Sequence, residues 1–199
     1  MYDTLRLETD TRGVATLTLA REPKHNAMSA QMIAELTQAA AALAADDAVR
    51  VVVLTGAGKS FCAGGDLGWM QAQRDMDPAT RSAEAAKLAA MLGALNTLPK
   101  PLIGRVQGNA FGGGVGMASR AVHADQLDEA IEAEVTPYLS CAPGAVAAAK
   151  QLARDLGPRI DTQVVDHTIA ALAARWETDE AAEGIGAFFD KRKAAWVSG

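Results

Sequence analysis

The stretch that decides the fold runs from Pro99 to Ser119 and reads P-K-P-L-I-G-R-V-Q-G-N-A-F-G-G-G-V-G-M-A-S. In it an apolar run, Leu102 to Val106, precedes a hinge of small residues and then three consecutive glycines, Gly112 to Gly114. The order strand, glycine turn, helix start points free backbone N–H groups at one spot, where they can bind negative charge. A turn with close backbone packing explains the same glycines, so this stretch alone leaves both interpretations open.

The overall composition is that of an ordinary globular protein. Its 199 residues are enough for one domain with a sizeable core. A net charge of -5 argues against nucleic acid as a bulk electrostatic partner. Two cysteines, Cys62 and Cys141, are too few for a disulfide framework and fit a reducing cytosol. The first residues lack a signal-peptide pattern and no apolar stretch reaches membrane-spanning length, so we expect a cytoplasmic protein with no membrane partner.

The residues before this stretch predict a βαβ unit. Leu5–Thr9 and Val14–Leu19 alternate apolar and polar residues around a glycine turn, which predicts a β-hairpin. Ser29 is a good helix N-cap, and Ala30–Ala45 carries apolar residues at helical spacing. Val51–Leu54 is then a fully apolar run typical of a buried parallel strand.

A second loop of small residues follows that strand and reads F-C-A-G-G-D-L-G-W-M, from Phe61 to Met70. It also opens a helix, and ligand sites in α/β sheets lie at the carboxyl ends of strands, so its backbone donors can converge with those after Phe111. The preceding Gly58-Lys59-Ser60 resembles a phosphate loop, but Val53 stands where that motif needs its first glycine. Cys62 is interpreted as a small buried apolar residue rather than a nucleophile, because no histidine or asparagine neighbours it in sequence.

The remaining pattern is helical. Helices are predicted at Met70–Met76 and Thr80–Leu98, on either side of an Asp77-Pro78 break, and they lead into the strand Leu102–Val106. After Ser119 no further strand or glycine-rich site is expected. The four helices predicted there span residues 125–138, 143–156, 161–176 and 180–196.

Two loops of backbone N–H groups suggest an oxyanion hole. Paired donors stabilise the negative charge that develops on a carbonyl oxygen during acyl chemistry. Small residues suit such loops because the backbone itself approaches the ligand. The three histidines, His25, His123 and His167, lie far apart in sequence, which gives metal binding little support. The basic run Lys191 to Lys193 fits a solvated helix C-terminus.

Three stretches taken in order resemble the crotonase (enoyl-CoA hydratase/isomerase) superfamily: R-E-P-K-H-N-A-M-S (21–29), S-F-C-A-G-G-D-L (60–67) and G-N-A-F-G-G-G-V-G (108–116). The tail F-F-D-K-R-K-A-A-W (188–196) resembles the family's C-terminal end. The amino-acid sequence of the second loop resembles that of the branch of the family that hydrates methylglutaconyl-type acyl-CoA esters. The resemblance implies an α/β fold, a spiral of repeated ββα units in residues 1–119 followed by a helical oligomerisation region in 120–199, and a homotrimer or hexamer.

The resemblance also implies where a substrate binds. The thioester carbonyl would accept hydrogen bonds from the backbone N–H groups of Gly65 and Gly113. No separate cofactor is implied, since coenzyme A is part of the acyl-CoA substrate. The thioester would be polarised toward an enolate, so that water adds across, or leaves, the α,β bond. The residues implied to contact coenzyme A are Lys24, His25, Ala27, Ala63, Asp66, Leu67, Gly68 and, in the tail on a neighbouring subunit, Lys191.

Two departures from the family pattern bear on the chemistry. Gly116 stands where typical hydratases carry a catalytic glutamate, and Glu129, Glu132 and Glu134 fall on an ordinary amphipathic helix. A segment of about sixty residues that family members carry, with a second acidic position, is absent near residues 117–121. Either the natural protein contains this segment and the present sequence omits it while being numbered continuously, or the chain is truly shorter. We expect the former, because a true deletion leaves apolar surface uncovered.

The sequence therefore predicts an enoyl-CoA hydratase-type lyase acting on an acyl-CoA thioester. The first alternative is another reaction on the same scaffold, such as double-bond isomerisation or thioester hydrolysis. The second is a catalytically inactive acyl-CoA-binding protein, which becomes the favoured interpretation if the segment is truly deleted.

Overall fold

The computed structural model describes residues 1–111 and 120–197. In chain order its strands are β1 (Leu5–Thr9), β2 (Val14–Leu19), β3 (Val51–Gly56), β4 (Ser60–Cys62), β5 (Leu102–Gly104) and β6 (Asn109–Ala110). Its helices are α1 (Ala30–Ala45), α2 (Leu67–Asp75), α3 (Pro78–Thr97), α4 (Leu127–Leu139), α5 (Pro143–Leu156), α6 (Thr162–Trp176) and α7 (Asp179–Phe189).

The larger sheet has the strand order β1-β2-β3-β5. The first pair is antiparallel, with Leu5 opposite Leu19, as the predicted hairpin requires. Strands β2, β3 and β5 are parallel, with Val14 opposite Val51, and α1 crosses between the first two of them. The predicted βαβ unit is confirmed, and so is the Ser29 cap, whose side chain accepts from the Met32 N–H.

The core lies on both faces of this sheet, which is why β3 is buried along its whole length. On one face α1 and α3 contribute Met32, Leu36 and Met91, which pack against Leu17 and Val52. The other face is covered by α4, whose Val135 packs against Val14, Val51 and Val53. The apolar run of β3 therefore has a packing partner on each side, and the sheet holds the strand ends in place.

Two short strands were not predicted. β4 and β6 pair in parallel, with Ser60 opposite Asn109, where the sequence pattern indicates only a loop and a hinge. Runs of two or three residues are too short to show the alternation that marks a strand. The pairing depends on a close approach at Gly108, where φ is +62° and a Cβ atom would lie 2.0 Å from the Lys59 carbonyl oxygen. This small sheet places residues 108–111 beside residues 59–62, and the Phe111 N–H donates to the Cys62 carbonyl.

Two predicted elements are longer than the observed ones. β5 ends at Gly104 rather than Val106. Past that point side-chain hydrogen bonds replace the backbone pairing with β3, since Gln107 donates to the Gly56 carbonyl and accepts from the Thr55 hydroxyl. α7 ends at Phe189 rather than near Trp196. The chain after α7 folds back onto the helix, because the Arg192 side chain and the Ala195 N–H both donate hydrogen bonds to Glu183 within it. In the described ranges, no helix has the length and apolar character needed to cross a membrane.

Candidate active site

Gly65 precedes α2 and carries a backbone N–H that donates to no residue the structure describes. Its neighbours fix the direction of that group. The Gly64 carbonyl accepts from the Met28 N–H at 2.8 Å, and the Asp66 N–H donates to the Met28 carbonyl at 2.9 Å. The Gly64 carbonyl and the Gly65 N–H belong to one trans peptide group and point in opposite directions, so the Gly65 N–H points away from Met28. Among the described residues, the site thus offers one directed donor without an acceptor.

The loop around this donor is built by backbone geometry. Gly64 has a φ of +86°, a conformation that side chains rarely adopt. At Gly65, by contrast, a Cβ atom would meet only side chains among the described residues, Met70 at 3.4 Å and Trp69 at 3.8 Å. The second predicted donor, Gly113, lies among residues 112–119, outside the described part of the chain. The paired oxyanion hole at Gly65 and Gly113 therefore stays a prediction.

Asn26 joins the predicted coenzyme A loop at 24–27 to the turn between β3 and β4. It is fully buried, with a φ of +56°, which asparagine tolerates better than most residues. Its side-chain nitrogen donates to the carbonyls of Ala57 at 2.9 Å and Ser60 at 2.8 Å, and its oxygen accepts from the Arg21 N–H. Sequence reasoning included Asn26 in a motif without giving it a role. The sequence signal for such a role is an asparagine in a polar loop, because asparagine tolerates the left-handed backbone conformation that tight loops need.

Asp66 is held by the protein itself. Its carboxylate caps α2 by accepting from the Gly68 and Trp69 N–H groups, and it pairs with Arg21 at 2.9 Å. Burial by itself raises the pKa of the Asp66 carboxyl, but the hydrogen bonds from Arg21, Trp69 and Gly68 outweigh it and lower the pKa. The carboxylate next to the free Gly65 donor is therefore ionised, with its charge offset by Arg21.

The other predicted coenzyme A contacts lie on the same two loops. His25 is exposed, and its Nδ1 lies 3.2 Å from the Ser60 hydroxyl; its carbonyl accepts from the Ala63 N–H. Lys24 is exposed at the end of a short 3-10 turn, whereas Ala27 is buried and its carbonyl accepts from the Arg21 guanidinium. Leu67 and Gly68 are exposed in the first turn of α2. Lys191 follows α7 and makes no described contact with either loop.

An apolar cavity of about 300 Å³ opens beside Gly65. Its lining includes Phe61, Trp69 and Met91 from the N-terminal half, and Leu172 and Trp176 from α6. The described lining residues carry no charged side chain, and the buried Trp69 Nε1 has no hydrogen-bond partner among the described residues. Sequence reasoning missed the α6 residues, since an ordinary helical pattern gives no signal of which helix closes a cavity.

No described carboxylate lines this cavity. Glu132 pairs with Arg12 on the surface, and Glu134 lines a separate cleft of about 850 Å³ between β5 and α4. Residues 112–119 contain no Asp or Glu in their sequence. Burial raises the pKa of the Cys62 thiol, in keeping with a packing role. Within residues 1–111 and 120–197, no three His, Cys, Asp or Glu side chains group closely enough to hold a metal ion.

Comparisons with known proteins identify the family of this chain. Residues 9–160 match the family described as enoyl-CoA hydratase/isomerase. A segment of 113 residues is 39% identical to the 4-chlorobenzoyl coenzyme A dehalogenase-2 of Arthrobacter sp, covering 54% of this chain and 40% of that one. Over 112 residues it is 36% identical to the 1,2-epoxyphenylacetyl-CoA isomerase of Escherichia coli, covering 54% and 41%. The match thus spans about two fifths of the length of these curated relatives.

Solved structures resemble the whole fold. An enoyl-CoA hydratase from Shewanella pealeana is 29% identical with a TM-score of 0.73, covering 98% of this chain and 97% of that one. One from Mycobacterium avium, 24% identical, shares the fold with a TM-score of 0.79 over 99% and 100% of the two chains. Together with the family match over most of the chain, these findings show that the protein belongs to the enoyl-CoA hydratase/isomerase family.

Proposed function

We propose that this protein is an enoyl-CoA hydratase-type lyase that acts on an acyl-CoA thioester. The observation that supports this most directly is the free Gly65 N–H, which lies at the wall of an apolar cavity large enough for an acyl group. The thioester oxygen accepts from Gly65 and from Gly113. Coenzyme A lies along the loops at 24–27 and 63–68, and Lys191 of a neighbouring subunit binds its phosphates.

The residues around Gly65 favour charge on the thioester oxygen. An enolate places negative charge there, and hydrogen-bond donors held in advance stabilise it without reorganising. The ion pair between Arg21 and Asp66 offsets the negative charge one residue away from the donor. In hydration the water oxygen bonds to the β carbon, and a proton is added to the α carbon as the enolate collapses.

The residues that transfer protons in this mechanism are not among those that line the cavity in the described part of the chain. Because no described carboxylate lines the cavity, the acid and base belong to the segment that is absent near residues 117–121. The absence of these groups favours a second candidate, an acyl-CoA-binding protein without turnover. Intact mass separates the two: a protein of 20.7 kDa favours the binding protein, and one heavier by about 7 kDa, the mass of some sixty residues, favours the enzyme.

The relatives also include an isomerase and a dehalogenase, so other reactions of the same enolate are alternatives. Identifying the product formed from a β,γ-enoyl thioester and from an α,β-enoyl thioester distinguishes isomerisation from hydration. We further propose a cytoplasmic homotrimer or hexamer, in which the exposed apolar faces of the C-terminal helices are covered.

The decisive experiment removes only the Gly65 N–H. In Gly65→Pro the donor is lost, and we expect kcat for crotonyl-CoA hydration to fall by about 10²–10³-fold, the usual effect of losing one oxyanion donor. Gly65→Ala is the matched control, since it keeps the N–H and its Cβ would lie 3.4 Å from the Met70 side chain and 3.8 Å from the Trp69 ring, both ordinary contact distances. Equal activity of a folded proline variant and the alanine variant would contradict the proposed role of Gly65.

A further inference from the structure

The wall of the apolar cavity opposite the N-terminal half comes from α6. Leu172 and Trp176 are four residues apart, so they lie on the same face of that helix. Both line the cavity that also contains Gly65. A group attached to a thioester carbonyl at Gly65 therefore shares one cavity with these two side chains.

An ion pair between buried Arg81 and exposed Glu177 joins this wall to α3. Arg81, in the first turns of α3, is 7% exposed and donates to the carbonyls of Gln73 at 2.9 Å and Met76 at 2.7 Å. Its guanidinium also pairs with the carboxylate of Glu177, the residue directly after Trp176. Because Arg81 joins the end of α2, the start of α3 and the end of α6, it fixes Trp176 relative to the Trp69 side of the cavity.

The cavity is suited to an uncharged chain of limited length. Its described lining holds no charged side chain, and a carboxylate brought into such surroundings loses its hydration without compensation. A volume of about 300 Å³ is at the lower end of the usual range for ligand pockets, ~300–1,000 Å³. Two apolar side chains of the lining, Leu92 and Leu172, are partly exposed to solvent. Exposed apolar side chains that line a cavity are typical of a groove that binds an apolar ligand.

We propose that Leu172 and Trp176 set the upper limit on acyl-chain length, and that the acyl group is an apolar hydrocarbon of short to medium length. The inference rests on the proposed placement of the thioester at Gly65. It differs from the sequence expectation of a methylglutaconyl-type substrate, whose acyl group carries a carboxylate.

Binding of saturated acyl-CoA thioesters tests the length limit without requiring turnover. Calorimetry on the intact protein would compare butyryl-, octanoyl- and dodecanoyl-CoA. We expect Trp176→Ala to raise the affinity for dodecanoyl-CoA relative to butyryl-CoA by at least about tenfold. Room for one more methylene group in a hydrophobic pocket changes binding by at least about that factor. Leu172→Ala should act in the same direction, and it decides the question if Trp176→Ala fails to fold. Trp196→Ala, an exposed tryptophan outside the cavity, is the control and should leave the ratio unchanged.

A matched pair of ligands tests the charge preference. Glutaryl-CoA and pentanoyl-CoA have acyl chains of the same length, and we expect the carboxylate-bearing one to bind at least about tenfold more weakly. An unchanged length ratio in folded Trp176→Ala and Leu172→Ala, or tighter binding of glutaryl-CoA, overturns the inference. Failure to bind any of these thioesters overturns it together with the proposed function. Length-dependent binding without hydration supports the inference while the hydratase assignment fails.

Discussion

The two halves of the molecule are stabilised in different ways. With the exceptions of Val135 and Ala187, every buried apolar residue described lies between Leu5 and Leu98. α5 and α6 contain no buried residue at all. The C-terminal half instead exposes large apolar side chains, on its helices at Leu152, Leu156 and Phe188 and outside them at Ile160 and Trp196.

This difference separates the part of the protein that forms its own core from the part that depends on other surfaces. A sheet covered on both faces holds its strand ends firmly, and the candidate site lies there. Helices gain most of their stability from packing an apolar face. The apolar faces of the C-terminal helices are largely uncovered in one chain, and the proposed oligomer and the proposed acyl group are the surfaces that would cover them.

The largest expected effect is in the N-terminal core. Leu17→Ala removes a fully buried side chain, and we expect the free energy of unfolding to fall by about 2–5 kcal/mol. Leu156→Ala makes the same chemical change at a residue that is 80% exposed, and should shift the unfolding free energy by no more than about 0.5 kcal/mol. Urea unfolding of both variants measures the contrast. Equal losses would show that the two halves are equally packed.

A smaller effect concerns the link between β1 and α1. Glu35 is buried, and its carboxylate accepts from the Thr4 hydroxyl and from the N–H groups of Asp3 and Thr4. We expect Glu35→Gln to lower the unfolding free energy by about 1.5–3 kcal/mol at pH 7, the usual worth of hydrogen bonds to a charged group. Glu129→Gln, the same change on an exposed residue, should have little effect.

The same residue predicts a pH dependence. Burial alone raises the pKa of Glu35, but the hydrogen bonds from Thr4 and Asp3 outweigh it and leave the pKa below its ordinary value of 4.5. The ionised form is thus favoured by folding, so its stabilisation is present above pH 4.5 and is lost as the pH falls through the folded-state pKa. Urea unfolding between pH 7 and pH 3 should show a shallower loss for Glu35→Gln than for the native protein. Parallel curves would contradict this account.

The smallest effect on folding is expected at the exposed helical faces. Replacing both Leu156 and Ile160 by serine should weaken self-association while the unfolding free energy of the monomer changes by no more than about 0.5 kcal/mol per site. Sedimentation over a range of protein concentrations measures the association. Unchanged association of the double variant would show that these side chains are not part of the proposed oligomer contact.

Much of the N-terminal half follows from local sequence. The hairpin of β1 and β2, the capped helix after Ser29 and the apolar strand β3 each carry their pattern within a few residues. The pairing of β4 with β6 does not, because each is too short to show a period and their contact depends on residues far apart in the chain.

The candidate site divides in the same way. The two small-residue loops and their glycines can be found from the sequence, since glycine at these positions reflects a local backbone requirement. The role of Asp66 as a cap paired with Arg21, and of Asn26 as the link between loops, needed the structure. Each depends on which distant groups the fold places within hydrogen-bond range.

The amino-acid order alone specifies a family, an α/β core and a loop with a backbone donor, because these depend on propensity and short-range pattern. Only tertiary packing decides that the Gly65 N–H meets no acceptor among the described residues, that a cavity whose described lining is uncharged opens beside it, and that a helix more than one hundred residues away lines that cavity. Cavities and their walls are properties of packed surfaces, and no local period in a sequence encodes which surfaces meet.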